Sequence, residues 1–245
     1  HAQTRAVYAL IDRLRAAHPA VEIESCASGG GRADYEILKR SERIWTSDNN
    51  DPTVRQKLHR TFSIFFPPEV MGAHVAAATN PITGARSGMT LRAATALFGH
   101  MGVEADVRTF SEAERATLAR MIALHKSHRA RLHGGRLVRL SHPEPGLAAL
   151  MAVDPEGALV SAVQLDLPRT ASPAPLRLAG LDEAASWRVR LLNPSPRPEA
   201  SMKRAPALAD GAESLVPGRV LAQAGLPLPV LTVGGVALFA LERVG

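Results

Sequence analysis

Apolar and polar residues in the first half of the chain alternate between helical and strand-like patterns. Apolar residues recur at helical spacing over 2–17. Short β-rich runs at 21–25, 43–47 and 103–107 predict strands. Strand, loop and helix repeat at intervals of about 25 residues, which is typical of βα units arranged around a parallel sheet.

Helix ends in this half carry recognisable capping residues. Asp51 is placed to cap a helix that begins at Pro52, a position where proline is favoured. Ser111 and Glu114 have the spacing of a capping box, and they open a predicted helix that runs to about residue 132. The segment 84–101 also predicts a helix.

From residue 136 onward the pattern changes to short, often alternating apolar runs separated by Pro, Gly and Asp. The runs predicted as strands are RLVRLS, LAALMAVD, ALVSAVQLDL, PLRLAG, WRVRLLN, RVLAQAG, LPVLTV and VALFALERV. Such a series is typical of an antiparallel β-sandwich. We therefore expect two domains, 1–135 and 136–245, with a boundary at Gly134 and Gly135, and a surface loop over 194–213.

Composition and charge narrow the classes of function. The net charge is +6, and the densest basic stretch, 125–136, coincides with the end of the predicted long helix, where cations favour the helix dipole. We therefore favour a solvated helix end over a nucleic-acid patch. The longest apolar run, 230–241, is shorter than the roughly 20 residues of a membrane helix. Cys26 is the only cysteine, which excludes an intrachain disulfide and a cysteine metal cage.

Two predicted strand ends are unusually rich in glycine or polar residues, and ligands of βα folds bind at such ends. The first is ESCASGGGRADYE, residues 24–36, where three successive glycines let the backbone approach a ligand closely. The alternative is a flexible turn. Three glycines beside Cys26 and Ser28 exceed what a turn needs, so we interpret the segment as a binding loop.

The second strand end is TSDNND, residues 46–51. Asp48 follows directly from the predicted strand, and a partly desolvated carboxylate near Trp45 suits a general acid. For Asp51, helix capping is the favoured role. A metal site remains open as a competitor, because Asp48, Asn49 and Asp51 offer hard oxygen ligands, although their spacing differs from the EF-hand pattern.

Two further side chains belong to chemically reactive types, but the sequence gives weaker evidence for a functional role. His74, in PPEVMGAHV, is a lone histidine, for which a structural role is the usual alternative to substrate contact. Cys26 is a nucleophile in principle, but the sequence assigns it no histidine and acid partner.

Three motifs follow one another in order: ESCASGGGRAD, RIWTSDNNDP and FPPEVMGAHV. Together they resemble the C-terminal part of the melibiase-type α-galactosidases, glycoside hydrolase family 36. The family pattern is roughly C-[SA]-S-G-G-G-R-x-D, then W-x-S-D-N-T-D, then P-P-x-x-M-G-A-H-V. The resemblance is strong over residues 1–110 and weaker over the predicted sandwich.

The resemblance implies the C-terminal part of a (β/α)8 TIM barrel followed by an antiparallel β-sandwich. It implies retaining hydrolysis of terminal α-galactosides, such as melibiose and raffinose-type oligosaccharides, with Asp48 as the acid/base residue and no cofactor or metal. It also implies substrate-binding roles, as parts of the sugar-binding loop or as contacts and supports beside it, for Cys26, Ser28, Gly29, Arg32, Trp45 and Asn49.

The chain also departs from the family pattern. The family's nucleophile lies in a K-W-D-M-N-R motif, which the 245 residues do not contain. Because the chain opens at His1 within a predicted helix, we expect that motif to precede residue 1 and this chain alone to be inactive. Within the matched motifs, the positions that differ from the usual family residues are Tyr35, Glu36, Asn50 and Thr61.

Two alternatives to an α-galactosidase remain open. One is a related α-N-acetylgalactosaminidase, because the two activities differ in the contacts made to the 2-position of the sugar. The other is a non-catalytic carbohydrate-binding remnant. We expect a galactose-containing oligosaccharide as partner, no nucleic-acid or membrane partner, a homo-oligomeric intact enzyme and a cytoplasmic location.

Overall fold

The computed structural model describes residues 1–193, 208 and 212–244. Its first half alternates short parallel strands with helices. In chain order these are α1 Ala2–Ala17, β1 Glu24–Ser25, α2 Tyr35–Leu38, β2 Arg43–Trp45, α3 Pro52–Phe62, β3 Met71–Ala76, α4 Met89–Ala96, β4 His100–Glu104 and α5 Glu112–Gly134, with 3₁₀ turns at Pro68–Val70 and Val107–Thr109.

The second half is mostly antiparallel. Its elements are β5 Arg136–Leu140, β6 Leu147–Asp154, β7 Gly157–Gln164, β8 Ser186–Leu191, β9 Ser214–Pro217, α6 Gly218–Gln223 and β10 Val236–Val244. These strands form one six-stranded sheet in the order β5-β6-β7-β10-β8-β9. The predicted antiparallel arrangement is therefore confirmed, as a single hydrogen-bonded sheet within the described residues.

The parallel sheet has the order β1-β2-β3-β4, so strands adjacent in sequence are adjacent in space. Trp45 lies opposite Gly72, and His74 lies opposite Gly102 two residues further on. Because side chains alternate along a strand, the register puts one set of residues on the same face of the sheet. That set comprises Glu24, Arg43, Trp45, His74, His100 and Glu104. On the opposite face, the buried apolar residues of β3, which are Met71, Ala73 and Val75, lie toward α4.

The two sheets share a hydrophobic core. Ala73 of β3 and Leu97, just after α4, belong to the same buried cluster as Leu150, Leu159 and Leu238 of the antiparallel sheet. A second cluster fills the other face of that sheet and includes Met151, Val160, Trp187 and Phe239. The antiparallel sheet is thus covered on both faces, and one of its faces fixes it to the helices of the first half.

Several predicted elements are confirmed. The helix at 2–17 forms as expected. Asp51 caps α3 through its side chain, which accepts a hydrogen bond from the Thr53 amide, and Pro52 is the first helical residue. Ser111 and Glu114 form the capping box of α5. The basic stretch 125–136 lies mostly within the last turns of that helix.

Five predicted elements are wrong in type, position or extent, and two of them lie in the first half. The helix predicted at 84–101 is confined to Met89–Ala96, because Gly88 begins it and residues 100–104 pair with β3. The strand predicted at 103–107 therefore lies three residues earlier.

In the second half, RVLAQAG forms α6 rather than a strand. PLRLAG contributes a single bridge, between Leu176 and Leu226, and LPVLTV forms no strand. Most of the loop predicted at 194–213 lies outside the described residues. No helix in the described part of the chain is long and apolar enough to cross a membrane.

Candidate functional site

The two polar strand ends singled out in the sequence meet at the carboxyl edge of the parallel sheet. β1 and β2 are parallel neighbours, with Glu24 opposite Arg43 and Ser25 opposite Ile44. The loops that follow them, 26–34 and 46–51, therefore leave the sheet side by side. This edge is where open and closed βα sheets hold their ligands.

The glycine loop packs directly on the backbone of the Asp48 loop. Gly29 has φ +70°, and a Cβ added to it would lie 2.6 Å from Ser47 Cα and 2.9 Å from Asp48 N. A Cβ on Gly30 would lie 2.8 Å from the carbonyl oxygen of Thr46. The glycines are therefore required for close approach, and Gly29 also for its left-handed backbone conformation.

Asp48 is exposed at this edge, and its carboxylate faces the glycine loop. The Cys26 thiol lies 4.0 Å from Asp48 Oδ1. Cys26 is a free, exposed thiol. The first loop thus brings Cys26 and Gly29 to opposite ends of the same aspartate, one beside its carboxylate and one against its amide.

Asn49 and Asp51 are occupied by contacts within the loop. Asn49 Oδ1 accepts a hydrogen bond of 2.9 Å from the Asp51 amide and one of 3.3 Å from the Asn80 side-chain amide. Asp51 is buried, and its second carboxylate oxygen accepts a 2.7 Å bond from the Thr83 hydroxyl. These bonds fix the start of α3 and leave Asp48 as the exposed carboxylate of the segment.

Trp45 lies below Asp48 between two charged or ionisable groups. Its ring stacks on His74 with centroids 4.2 Å apart. The Arg55 guanidinium lies 3.9 Å from the centroid of the Trp45 ring. Because Trp45 is almost fully buried, it supports the site from beneath rather than offering a free aromatic surface.

Arg55 holds the backbone and side chains of the Asp48 loop from within α3. Its Nε donates to the Asn49 carbonyl at 2.8 Å, and its Nη2 donates to Asn50 Oδ1 at 3.0 Å. It also donates to the Thr46 hydroxyl and the Ser47 carbonyl. Burial lowers the pKa of Arg55 to about 10, opposed by the negative charges of nearby carboxylates. At neutral pH the guanidinium therefore remains charged.

A second polar cluster connects β1, β3 and β4. His74 Nδ1 lies 3.0 Å from Glu104 Oε2, and its Nε2 lies 3.7 Å from Glu24 Oε2. Burial alone would lower the pKa of His74, but the neighbouring carboxylates of Glu24 and Glu104 raise it above the usual value. The contact with His74 in turn holds the pKa of Glu24 below its usual range. His74 lies within a strand rather than at its end, and its ring nitrogens already have partners.

Two of the sequence-predicted binding residues lie at the rim of the loop. Ser28 is exposed with φ +50°, the one non-glycine residue in the left-handed region among those described. Arg32 is partly exposed beyond the glycines. Burial raises the pKa of Tyr8, and the positive charge of Arg32 acts against that rise.

Sequence reasoning missed Arg55, the residue with the most contacts to the Asp48 loop. A signal was present in α3, whose buried side is polar. Its buried residues are Pro52, Arg55, Gln56 and His59. Apolar residues normally occupy such a face, so buried polar residues at helical spacing indicate a specific task.

Comparison with known proteins agrees with the motifs at this edge. The melibiase family model matches residues 1–135. The chain belongs to the melibiase family. The α-galactosidase of Escherichia coli is 40% identical over 99% of this chain and 35% of its own length. The bifunctional α-galactosidase/sucrose kinase AgaSK of Mediterraneibacter gnavus is 32% identical over 92% of this chain and 22% of its own length.

Solved structures of melibiase-family proteins have the same fold as this chain. The galactosidase domain of AgaSK superposes with a TM-score of 0.83 at 30% identity, covering 97% of this chain and 31% of that one. The family 36 α-galactosidase AgaB of Geobacillus stearothermophilus gives 0.82 at 29% identity over the same shares. The chain thus spans about a third of the length of these structures.

Proposed function

We propose that this chain is the C-terminal part of a retaining α-galactosidase and that Asp48 is its acid/base residue. The observation that carries the proposal is the exposed Asp48 carboxylate at the carboxyl edge of a parallel sheet, held between the glycine loop and Arg55. Membership of the melibiase family supports the reaction class.

In this mechanism Asp48 acts twice. As an acid it protonates the glycosidic oxygen as the bond to the aglycone breaks. As a base it then removes a proton from the water that releases the sugar from a covalent intermediate. The second carboxylate of a retaining pair, the nucleophile, comes from outside the 245 residues.

The sugar is bound beside Asp48 by the glycine loop. Cys26 packs against the sugar, while Ser28 and Gly29 shape the loop around it and Arg32 contacts it from the rim. Trp45 and Asn49 support the loop from below. These roles rest on the 4.0 Å separation between the Cys26 thiol and the Asp48 carboxylate and on the contacts that already occupy Asn49 and Trp45.

The sheet of four parallel strands forms part of a (β/α)8 barrel, and residues 136–245 form a second, sandwich-like domain. The face that carries Glu24, Trp45, His74 and Glu104 is the barrel interior in this arrangement, which accounts for its polar character.

The proposed substrates are oligosaccharides that end in α-galactose. Variants of AgaA of Geobacillus stearothermophilus have been solved in complex with raffinose and with stachyose. Those sugars share a terminal α-galactosyl unit, and we extend the same substrate class to this protein.

The experiment is hydrolysis of 4-nitrophenyl α-galactoside and melibiose by the full-length enzyme and by its Asp48→Ala variant. We expect Asp48→Ala to abolish melibiose hydrolysis, while Asp106→Ala, which removes an exposed aspartate from a 3₁₀ turn, leaves it unchanged. Hydrolysis by the 245-residue chain alone would contradict a nucleophile supplied from outside it. Unchanged melibiose hydrolysis in Asp48→Ala would contradict the whole proposal.

A further inference from the structure

Arg55 contacts the Asp48 loop on both sides of the aspartate. Its guanidinium donates to groups that precede Asp48 and to groups that follow it, and the acceptors are Thr46 Oγ1, the Ser47 carbonyl, the Asn49 carbonyl and Asn50 Oδ1. Two of these acceptors are backbone carbonyls of the residues that flank Asp48. Fixing both flanking peptides restricts the direction in which the aspartate side chain leaves the backbone.

The guanidinium itself has little freedom to move. Arg55 is 3% exposed, and its planar group stacks on Trp45. It projects from the first turns of α3, whose start is fixed by the Asp51 cap. A planar fork with five donors can hold several acceptors in one geometry, which a lysine ammonium cannot reproduce.

Asn50 extends this restraint to β4, the strand at the other edge of the parallel sheet. Its Oδ1 accepts from Arg55, and its Nδ2 donates to Glu104 Oε2 at 2.9 Å. The same Glu104 oxygen lies 3.0 Å from His74 Nδ1. Asn50 occupies a position where the family pattern has threonine, whose single hydroxyl is too short to bridge the two partners.

We propose that Arg55 is a positioning residue that holds the Asp48 carboxylate at the glycosidic oxygen, with Asn50 as its link to Glu104. This inference rests on the proposed function, because it assigns Arg55 its role through Asp48. Arg55 acts through hydrogen bonds to the loop and does not itself touch the substrate.

A positioning role has a signature that depends on the leaving group. Melibiose releases a sugar alkoxide, so its bond cleavage requires a well-placed proton donor. A 2,4-dinitrophenolate leaves with little protonation. A displaced Asp48 therefore lowers kcat/KM, which reports the bond-breaking step, far more for melibiose than for 2,4-dinitrophenyl α-galactoside, whereas general damage to the fold lowers both values alike.

The test compares Arg55→Lys with Arg92→Lys in the full-length enzyme. Arg92 is a matched control because it is also almost fully buried, and it donates to the Ala76 carbonyl and to Glu114 rather than to the Asp48 loop. We expect Arg55→Lys to lower kcat/KM on melibiose by about 10-fold to 100-fold, the cost of a misplacement near 1 Å, and to change kcat/KM on the dinitrophenyl substrate by no more than ~3-fold.

Asn50→Thr provides a second variant if Arg55→Lys does not fold. Asn50 is only partly buried, and we expect its replacement to give the same selective loss on melibiose with a smaller amplitude. Arg92→Lys is expected to change kcat/KM on both substrates by the same factor.

Equal losses on both substrates in the Arg55 and Asn50 variants, or no loss in either, would overturn the positioning role while leaving Asp48 as the acid/base residue. Failure of the proposed function gives a different result, in which Asp48→Ala hydrolyses melibiose as fast as the unsubstituted enzyme.

Discussion

Gly29 and Asp48, 19 positions apart in the sequence, are in backbone contact, and a single added carbon on Gly29 would lie 2.9 Å from the Asp48 amide nitrogen. The contact explains why a glycine-rich loop follows β1. Its glycines make room for the peptide that carries the candidate catalytic carboxylate. The two motifs that resemble the family are thus two halves of one packed structure.

Gly29→Ala is expected to displace the Asp48 loop and to reduce both activity and stability. The new Cβ meets backbone atoms that cannot move aside cheaply, in addition to the cost of about 1 kcal/mol for alanine at positive φ. Gly84→Ala is the matched control, because Gly84 has φ +71° and nothing within 4 Å of its added Cβ. Chemical denaturation and kcat on melibiose check both variants, and equal effects at the two glycines would contradict the steric account.

Asp48 and Asp51 are expected to respond in opposite ways to replacement by alanine. Asp51→Ala removes a helix cap and the partner of the Thr83 hydroxyl, so we expect it to lower the free energy of unfolding by about 1–2 kcal/mol. Asp48→Ala removes an exposed carboxylate and is expected to abolish activity with little loss of stability. Urea unfolding and melibiose hydrolysis distinguish the two, and a catalytic loss confined to Asp51→Ala would reverse their roles.

His59 is expected to make the folded state less stable as the pH falls. Burial lowers its pKa to about 3, with the charge of Arg55 acting in the same direction. Between this value and the unfolded pKa of roughly 6.5, the unfolded chain binds the proton more readily, so stability decreases by up to ~1.4 kcal/mol per pH unit as acid is added.

The measurement is the urea midpoint of the wild type and of His59→Met between pH 4 and pH 8. Methionine has a similar size and no proton to bind, so the decline below pH 6.5 should become shallower. His18→Gln, which alters an exposed ring, should leave the slope unchanged. A slope that survives His59→Met would show that other groups cause it.

His74 is expected to act in the opposite sense. Because the carboxylates of Glu24 and Glu104 raise its pKa against the effect of burial, the stabilisation it contributes is fully present below the unfolded pKa of roughly 6.5. That stabilisation is lost as the pH rises through the folded pKa. His74→Gln should therefore lower the thermal midpoint more at pH 6 than at pH 8.5, and an effect that is independent of pH would contradict the ion-pair account.

Much of the fold and of the candidate site can be predicted from local chemistry in the sequence. Asp51 with Pro52, and Ser111 with Glu114, mark helix starts because each satisfies free amide groups within a few residues. The alternation of short strands with helices predicts a parallel sheet, and parallel neighbours bring their carboxyl ends together. The proximity of the Gly29 and Asp48 loops follows from that geometry.

Elements that depend on distant contacts could not be predicted in the same way. Residues 100–104 form a strand because they pair with β3, although their own pattern continues that of the preceding helix. The six residues of α6 are too few for periodicity to distinguish a helix from a strand. Arg55 was missed because its importance lies in four acceptors that only the folded loop brings together.

The most direct test of the central claim is azide rescue of Asp48→Ala in the full-length enzyme with 2,4-dinitrophenyl α-galactoside. Without the acid/base residue, the covalent intermediate still forms from a substrate that leaves readily, but water attacks it slowly because nothing removes its proton. Azide needs no base, so we predict faster turnover with azide and a galactosyl azide of retained α configuration. A β-configured azide would make Asp48 the nucleophile, and full activity without azide would contradict any catalytic role for it.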